Sequence, residues 1–162
     1  MVQDAANRRI RDAFDQLERE IAAGRPPHED YDLRITRDGT WLYRGSPIAR
    51  PAIVKLFASI LHRASDGSYW LVTPAERTRV HVDDVPFVGV ELGVRGAGPG
   101  QRLELRTHLG EWVPIDQAHP LAMKPQPAGA AAPYVDLGGG LEARVARNVF
   151  YELADLAEPD AD

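Results

Sequence analysis

The sequence predicts an α+β fold, rich in strands, made by tandem duplication of a small β-unit. Three observations predict it. Helical spacing of apolar residues is confined to a segment near each end and one near residue 55. The rest of the chain is short alternating runs separated by Gly, Pro and Asp turns. The order of those runs recurs. LRITRDGTW resembles LELRTHLGEW, each a strand, a glycine turn and a tryptophan opening the next strand. Trp41 is followed by Pro47-Ile48, and Trp112 by Pro120-Leu121. Tyr69 with Arg79-Val80 matches Tyr134 with Arg144-Val145 at the same offset.

Ile10, Phe14, Leu17 and Ile21 lie on one face of a helix over about 5 to 23, with Asp4 as its cap and Gly24 before Pro26-Pro27 as its stop. RPPHEDYD reads as a linker. Two short strands flank Asp38-Gly39, a hairpin signal. Pro51 opens a second helix, over 51 to 64, whose Ile53, Leu56, Phe57, Ile60 and Leu61 mark it as the more central one. SYWLV, TRVHV and PFVGVELGV continue the strands. RLELRTH and EWVPI follow the GAGPG turn. The Pro- and Ala-rich stretch 125 to 133 reads as a loop. YVDL and LEARVA flank three glycines. A last helix over about 148 to 157 buries Val149, Phe150, Leu153 and Leu156, and the tail AEPDAD is acidic. Three parts result: 1–28, helix and linker; 29–95, the first unit with its helix; 96–162, the second unit. Trp41 and Trp112 are expected to be matching core residues.

Composition bounds the function. The chain has 162 residues, 44% hydrophobic and 27% charged, an ordinary globular balance. Formal net charge is −5, against the basic excess of proteins that track phosphate backbones, so long nucleic acid is not an expected partner. With no cysteine there is no disulfide, thiolate metal site or cysteine nucleophile. The N-terminus does not read as a signal peptide, and no apolar run approaches the roughly 20 residues of a membrane span. The expectation is a soluble cytoplasmic protein.

Candidate chemistry gathers in two places. His81, Asp83 and Asp84 lie within four residues. On a strand His81 and Asp83 share a face, a geometry suited to a metal or to a base and its orienter. No zinc spacing or triad signature accompanies them. The competing reading is the polar end of a strand, its acids bonding turn amides before Val85-Pro86. The second place is basic. Arg44 precedes Gly45, and Arg50 stands ahead of the helix at Pro51, where free amides favour an anion. Alternatively Arg50 pairs with Asp83 or Asp84 and stitches helix to sheet. Thr73, Glu76 and Arg77 form a TPAER turn that either meets a ligand or satisfies its own amides.

WLYRGSPIARP with IVKLFASIL, YWLVTPAERTRVHVDDVPF and GLEARVARNVFYELADLA resemble the bacterial domain-of-unknown-function family 1285 over about residues 29 to 157. That family has no established activity. The resemblance implies a duplicated β-rich core whose second half is similar to a pleckstrin-homology-like barrel closed by a C-terminal helix. It also implies a ligand site between the halves, a nucleotide-type ligand and a role in signalling. The Gly138-Gly139-Gly140 turn departs from the family's pattern by its looseness. The expected function is therefore a binding module for a nucleotide-like anion. Its ligand would be held by Arg44, Arg50, Thr73, Glu76, Arg77, His81, Asp83 and Asp84, with no cofactor identified. The alternatives are a protein-interaction module, pairing with a protein partner or a second copy, and a metal-assisted hydrolase using His81, Asp83 and Asp84.

Overall fold

The computed structural model describes residues 2–27 and 30–156. The expected end of the last helix at 157, the acidic tail and part of the linker lie outside them. The chain divides into two compact units, Met1–Asp84 and Val85–Asp162.

The first unit contains α1 (Val2–Ala22), β1 (Leu33–Ile35), β2 (Trp41–Tyr43), β3 (Ser46–Pro47), α2 (Pro51–Ser59), β4 (Leu61–Arg63), β5 (Tyr69–Val72) and β6 (Arg77–Val82). Its sheet has the order β3-β2-β1-β6-β5-β4. β1 and β6 run parallel at the centre, and the other pairs are antiparallel. The second unit contains β7 (Phe87–Arg95), β8 (Arg102–Thr107), β9 (Trp112–Pro114), β10 (Leu121–Gln126), β11 (Gly129–Gly138), β12 (Leu141–Val145) and α3 (Arg147–Leu156). Its sheet has the order β10-β11-β12-β7-β8-β9, again with first and last strands parallel at the centre. Counted from each unit's own first strand, both sheets read third, second, first, sixth, fifth, fourth. The duplication is thus carried by topology.

That topology corrects the register of the sequence repeat. The match of Tyr69 and Arg79 to Tyr134 and Arg144 falls on equivalent strands, β5 with β11 and β6 with β12. The match of Trp41 to Trp112 does not. Trp41 is in a second strand and Trp112 in a third. Trp41 is 2% exposed and packs on Phe57 of α2, whereas Trp112, on an edge strand, is 44% exposed.

Cross-strand partners share a sheet face, which separates the two faces of the first sheet. One carries Leu33, Ile35, Trp41, Leu71, Thr78 and Val80, all buried. The other carries Trp70 and Val72, covered by α1 through Leu17 with Ile10, Ala13, Phe14 and Ile21 around it. That is the apolar face the helical spacing predicts. Asp4 lies inside the first turn of α1 instead of capping it, a position that suits the helix dipole. The stop is as expected. Gly24 has φ +73°, its N–H reaches Ile21 and that of Arg25 reaches Glu20, a Schellman closure.

Five further expectations are revised. The second helix ends at Ser59, not 64, because Leu61–Arg63 pairs with β5, Leu61 lying opposite Leu71. No residue of α2 is fully buried, so it is not the central helix. The stretch 125 to 133 is a hairpin, β10 and β11, because Tyr134 and its neighbours hold β10 by backbone pairing despite the prolines. PFVGVELGV opens the second unit instead of closing the first, because β7 pairs with β8 and β12. α3 follows the second sheet and buries Val149, as expected, but Leu156 is exposed.

Candidate functional site

β6 alternates, and its odd-numbered side chains, Arg79 and His81, point to the face that α1 only partly covers. β1 runs parallel beside it with Arg34 opposite His81. On the other side, Trp70 of β5 lies opposite Arg79. Extending that register by one residue sets Ser68 against His81. The result is a polar row across the sheet from three strands. It lines an open depression of about 270 Å³ with Gly67, Ser68, Tyr69, Val80 and Val82.

Two side chains of this row are engaged by acids. Arg34 pairs with Asp83. His81 Nε2 lies 2.9 Å from Asp30 Oδ2, and the bond holds the Asp30 carboxyl below its ordinary range, helped by the Asp32 N–H. The Arg79 guanidinium lies 6.0 Å over the Trp70 ring. At the rim, Asp66 accepts from the Ser68 hydroxyl and N–H, which lower its pKa, and the Trp70 indole N–H donates to the Ser68 oxygen at 2.7 Å. The carboxylates of Asp83 and Asp30 fix the direction in which Arg34 and His81 present their remaining polar atoms.

Of the eight residues singled out in the sequence, only His81 lines this depression. Asp83 and Asp84 are engaged by Arg34 and Arg37, the latter pair at 3.6 Å, and Asp83 N–H bonds the Ile35 carbonyl. The acids pair as expected, but not with Arg50, because β1 and the turn after it supply Arg34 and Arg37. Arg44 is exposed in the turn between β2 and β3, at φ +50°, with its guanidinium over Tyr43 at 5.3 Å. Arg50 is exposed ahead of α2. Thr73 and Glu76 close their own turn: Glu76 N–H donates to Thr73 Oγ1 at 2.9 Å and Thr73 N–H to the Glu76 carbonyl at 2.8 Å. Arg77 pairs with Glu20 of α1 at 3.1 Å. It lines a separate groove of about 450 Å³ with Arg9, Asp12, Ala13, Gln16, Pro74 and Ala75. Among the described residues, no group of three or more His, Asp or Glu is placed to hold a metal ion. His62 is in β4, with Nδ1 at the Ile60 carbonyl.

Arg34 and Arg79 are the residues that sequence reasoning missed. Their signal was the strict alternation of RTRVH and of LRI. What that alternation lacks is the neighbour, because a parallel pairing between strands some 45 residues apart in the chain leaves no local mark.

The class is therefore a duplicated, β-rich α+β protein with a polar, open depression on its first sheet. Residues 23–85 match the model described as "Domain of unknown function (DUF1285), N-terminal domain", and residues 86–162 match the C-terminal domain of the same family. The chain belongs to the DUF1285 family. It is similar to a DUF1285 family protein from Silicibacter pomeroyi DSS-3 at 47% identity and a TM-score of 0.76, over 84% of this chain and 75% of that one. It is also similar to one from Shewanella baltica OS155 at 30% identity and a TM-score of 0.61, over 78% of this chain and 92% of that one. No curated protein matches. No described helix is long and apolar enough to cross a membrane.

Proposed function

We propose that the first unit is a binding module for a small nucleotide-like anion, seated on the open face of its sheet. The observation that carries this reading is the convergence of Arg34, Arg79 and His81, from two adjacent strands, on one depression. The lining is basic and polar with no acid in it, which suits an anionic ligand. Arg34 and Arg79 offer planar donor forks to a phosphate or carboxylate. Asp30 and Asp83, which pair with His81 and Arg34 from outside the lining, fix the direction in which those side chains face it. A sensor role in signalling accords with binding without turnover.

Thermal unfolding against a panel of nucleotides and cyclic nucleotides tests this. A ligand at 100 times its dissociation constant adds about 2.7 kcal/mol, a rise of several degrees for a chain of this size. The rise is expected to vanish in Arg79→Ala and Arg34→Ala and to persist in Arg50→Ala. A panel without any shift rejects the reading, as does a shift that depends on Arg50 and not on Arg79.

A further inference from the structure

Each sheet ends in two edge strands, and an edge presents unpaired N–H and C=O groups to whatever can pair with them. Three of the four edges are short: β3 has two residues, β4 and β9 three each. β10 has six, and its burial pattern is mostly exposed. Its inner side is settled by hydrogen bonding. The Asp136 N–H donates to the Pro120 carbonyl at 3.1 Å, and the register continues through Ala122 opposite Tyr134 and Lys124 opposite Ala132. Residues 120, 122 and 124 therefore turn their backbone groups inward to β11. Leu121, Met123 and Pro125 turn theirs outward. The exposed apolar side chains belong to the same residues: Leu121 is 39% and Met123 49% exposed. The nearest charge on the strand, Lys124, is turned to Glu142 on β12 and withdrawn from the edge.

We propose that β10 pairs antiparallel with β10 of a second copy of this chain, about a two-fold axis at Ala122. This register is the one the strand's own pattern selects. It sets Leu121 opposite Met123 of the other copy twice over, so both outward N–H groups and both outward carbonyls of each strand are paired. It gathers the four exposed apolar side chains on one face of the joint, which is how cross-strand pairs stabilise a ladder. Pro125, which has no N–H to give, falls outside this central exchange. An isologous contact of this kind closes as a dimer instead of propagating. A longer unrelated peptide would run past Pro125 and meet an edge with a missing donor.

The register has a consequence that can be read chemically. Ala122 faces Ala122 of the other copy as a non-hydrogen-bonded pair, about 4.5 Å between Cα atoms. That separation lies within the span of a disulfide. The chain contains no cysteine, so a single introduced thiol has only its own copy to join. The test is analytical ultracentrifugation of the full chain across concentration, with Met123→Glu, Ala122→Cys and Leu109→Cys (a turn control) alongside. The expected result is a monomer–dimer equilibrium that Met123→Glu shifts to monomer by at least tenfold in dissociation constant, with unchanged thermal unfolding of the monomer. Ala122→Cys is expected to yield a covalent dimer under mild oxidation, and Leu109→Cys to stay reduced. A monomer at every concentration overturns the proposal. So does a dimer that survives Met123→Glu, or one in which Cys at 122 remains reduced while the control cross-links.

Discussion

The two sheets have one strand order and two kinds of cover. The first carries α1 across Trp70 and Val72 and sets α2 beside Trp41. The second carries α3 against β7 and leaves Trp112 at its edge, lying over Gly93. The same topology thus supports different work. Where a helix lies on a strand the side chains become core. Where it lies on only part of a face, as α1 does, polar side chains on the remainder form an open bay. The difference is made by what was added before β1, between β3 and β4 and after β12, not by the repeated strands.

The comparison predicts unequal costs for alike substitutions. Trp41→Ala should be the most damaging, on the order of 3–5 kcal/mol, as for other buried aromatics. Trp112→Ala, which removes a side chain nearly half in solvent, should cost under about 1 kcal/mol. Chemical denaturation of the two variants, with m-values shared, measures this. Equal costs would mean that the two tryptophans are equivalent after all.

Two glycines sharpen the contrast within the second sheet. A Cβ at Gly89 would stand 2.5 Å from the Leu105 methyl carbons, and Leu105 is fully buried with nowhere to swing. Gly89→Ala should cost about 1–3 kcal/mol by overpacking. A Cβ at Gly93 would stand 2.8 Å from the Trp112 ring, but that ring is at the surface and rotates away. Gly93→Ala should therefore cost less than Gly89→Ala, with a change in tryptophan fluorescence as its marker.

The smallest effect concerns the first unit's bay. The Asp30 carboxyl is held below its ordinary value, first by the His81 side chain and then by the Asp32 N–H. Its contribution to stability is present above the unfolded carboxylate value of about 4 and is lost as pH falls through the lower folded value. The pair is exposed, so solvent screens most of it. Carbon-detected NMR titration should show Asp30 ionising below a free aspartate, and His81→Ala should move it back upward. An unmoved titration would mean that His81 does not hold Asp30, and the orientation argument for His81 would fall with it.

Local information reached far in this chain. The apolar stripe Ile10, Phe14, Leu17 and Ile21, the glycine stop at 24, the Asp38-Gly39 hairpin and the alternation of RTRVHV follow from backbone geometry and solvent exclusion over a few residues. Each appeared in the structure, as did the duplicated β-rich class. The tertiary structure decided which strands became neighbours. Arg34 reaches His81 through a parallel pairing across the unit, and Leu61 becomes a strand residue because β5 offers it a partner. The Pro- and Ala-rich stretch before Tyr134 becomes a hairpin for the same reason. Strand pairing is satisfied by backbone groups that every residue carries, so sequence marks a strand's faces and turns but not its partner. A site assembled across strands inherits that silence.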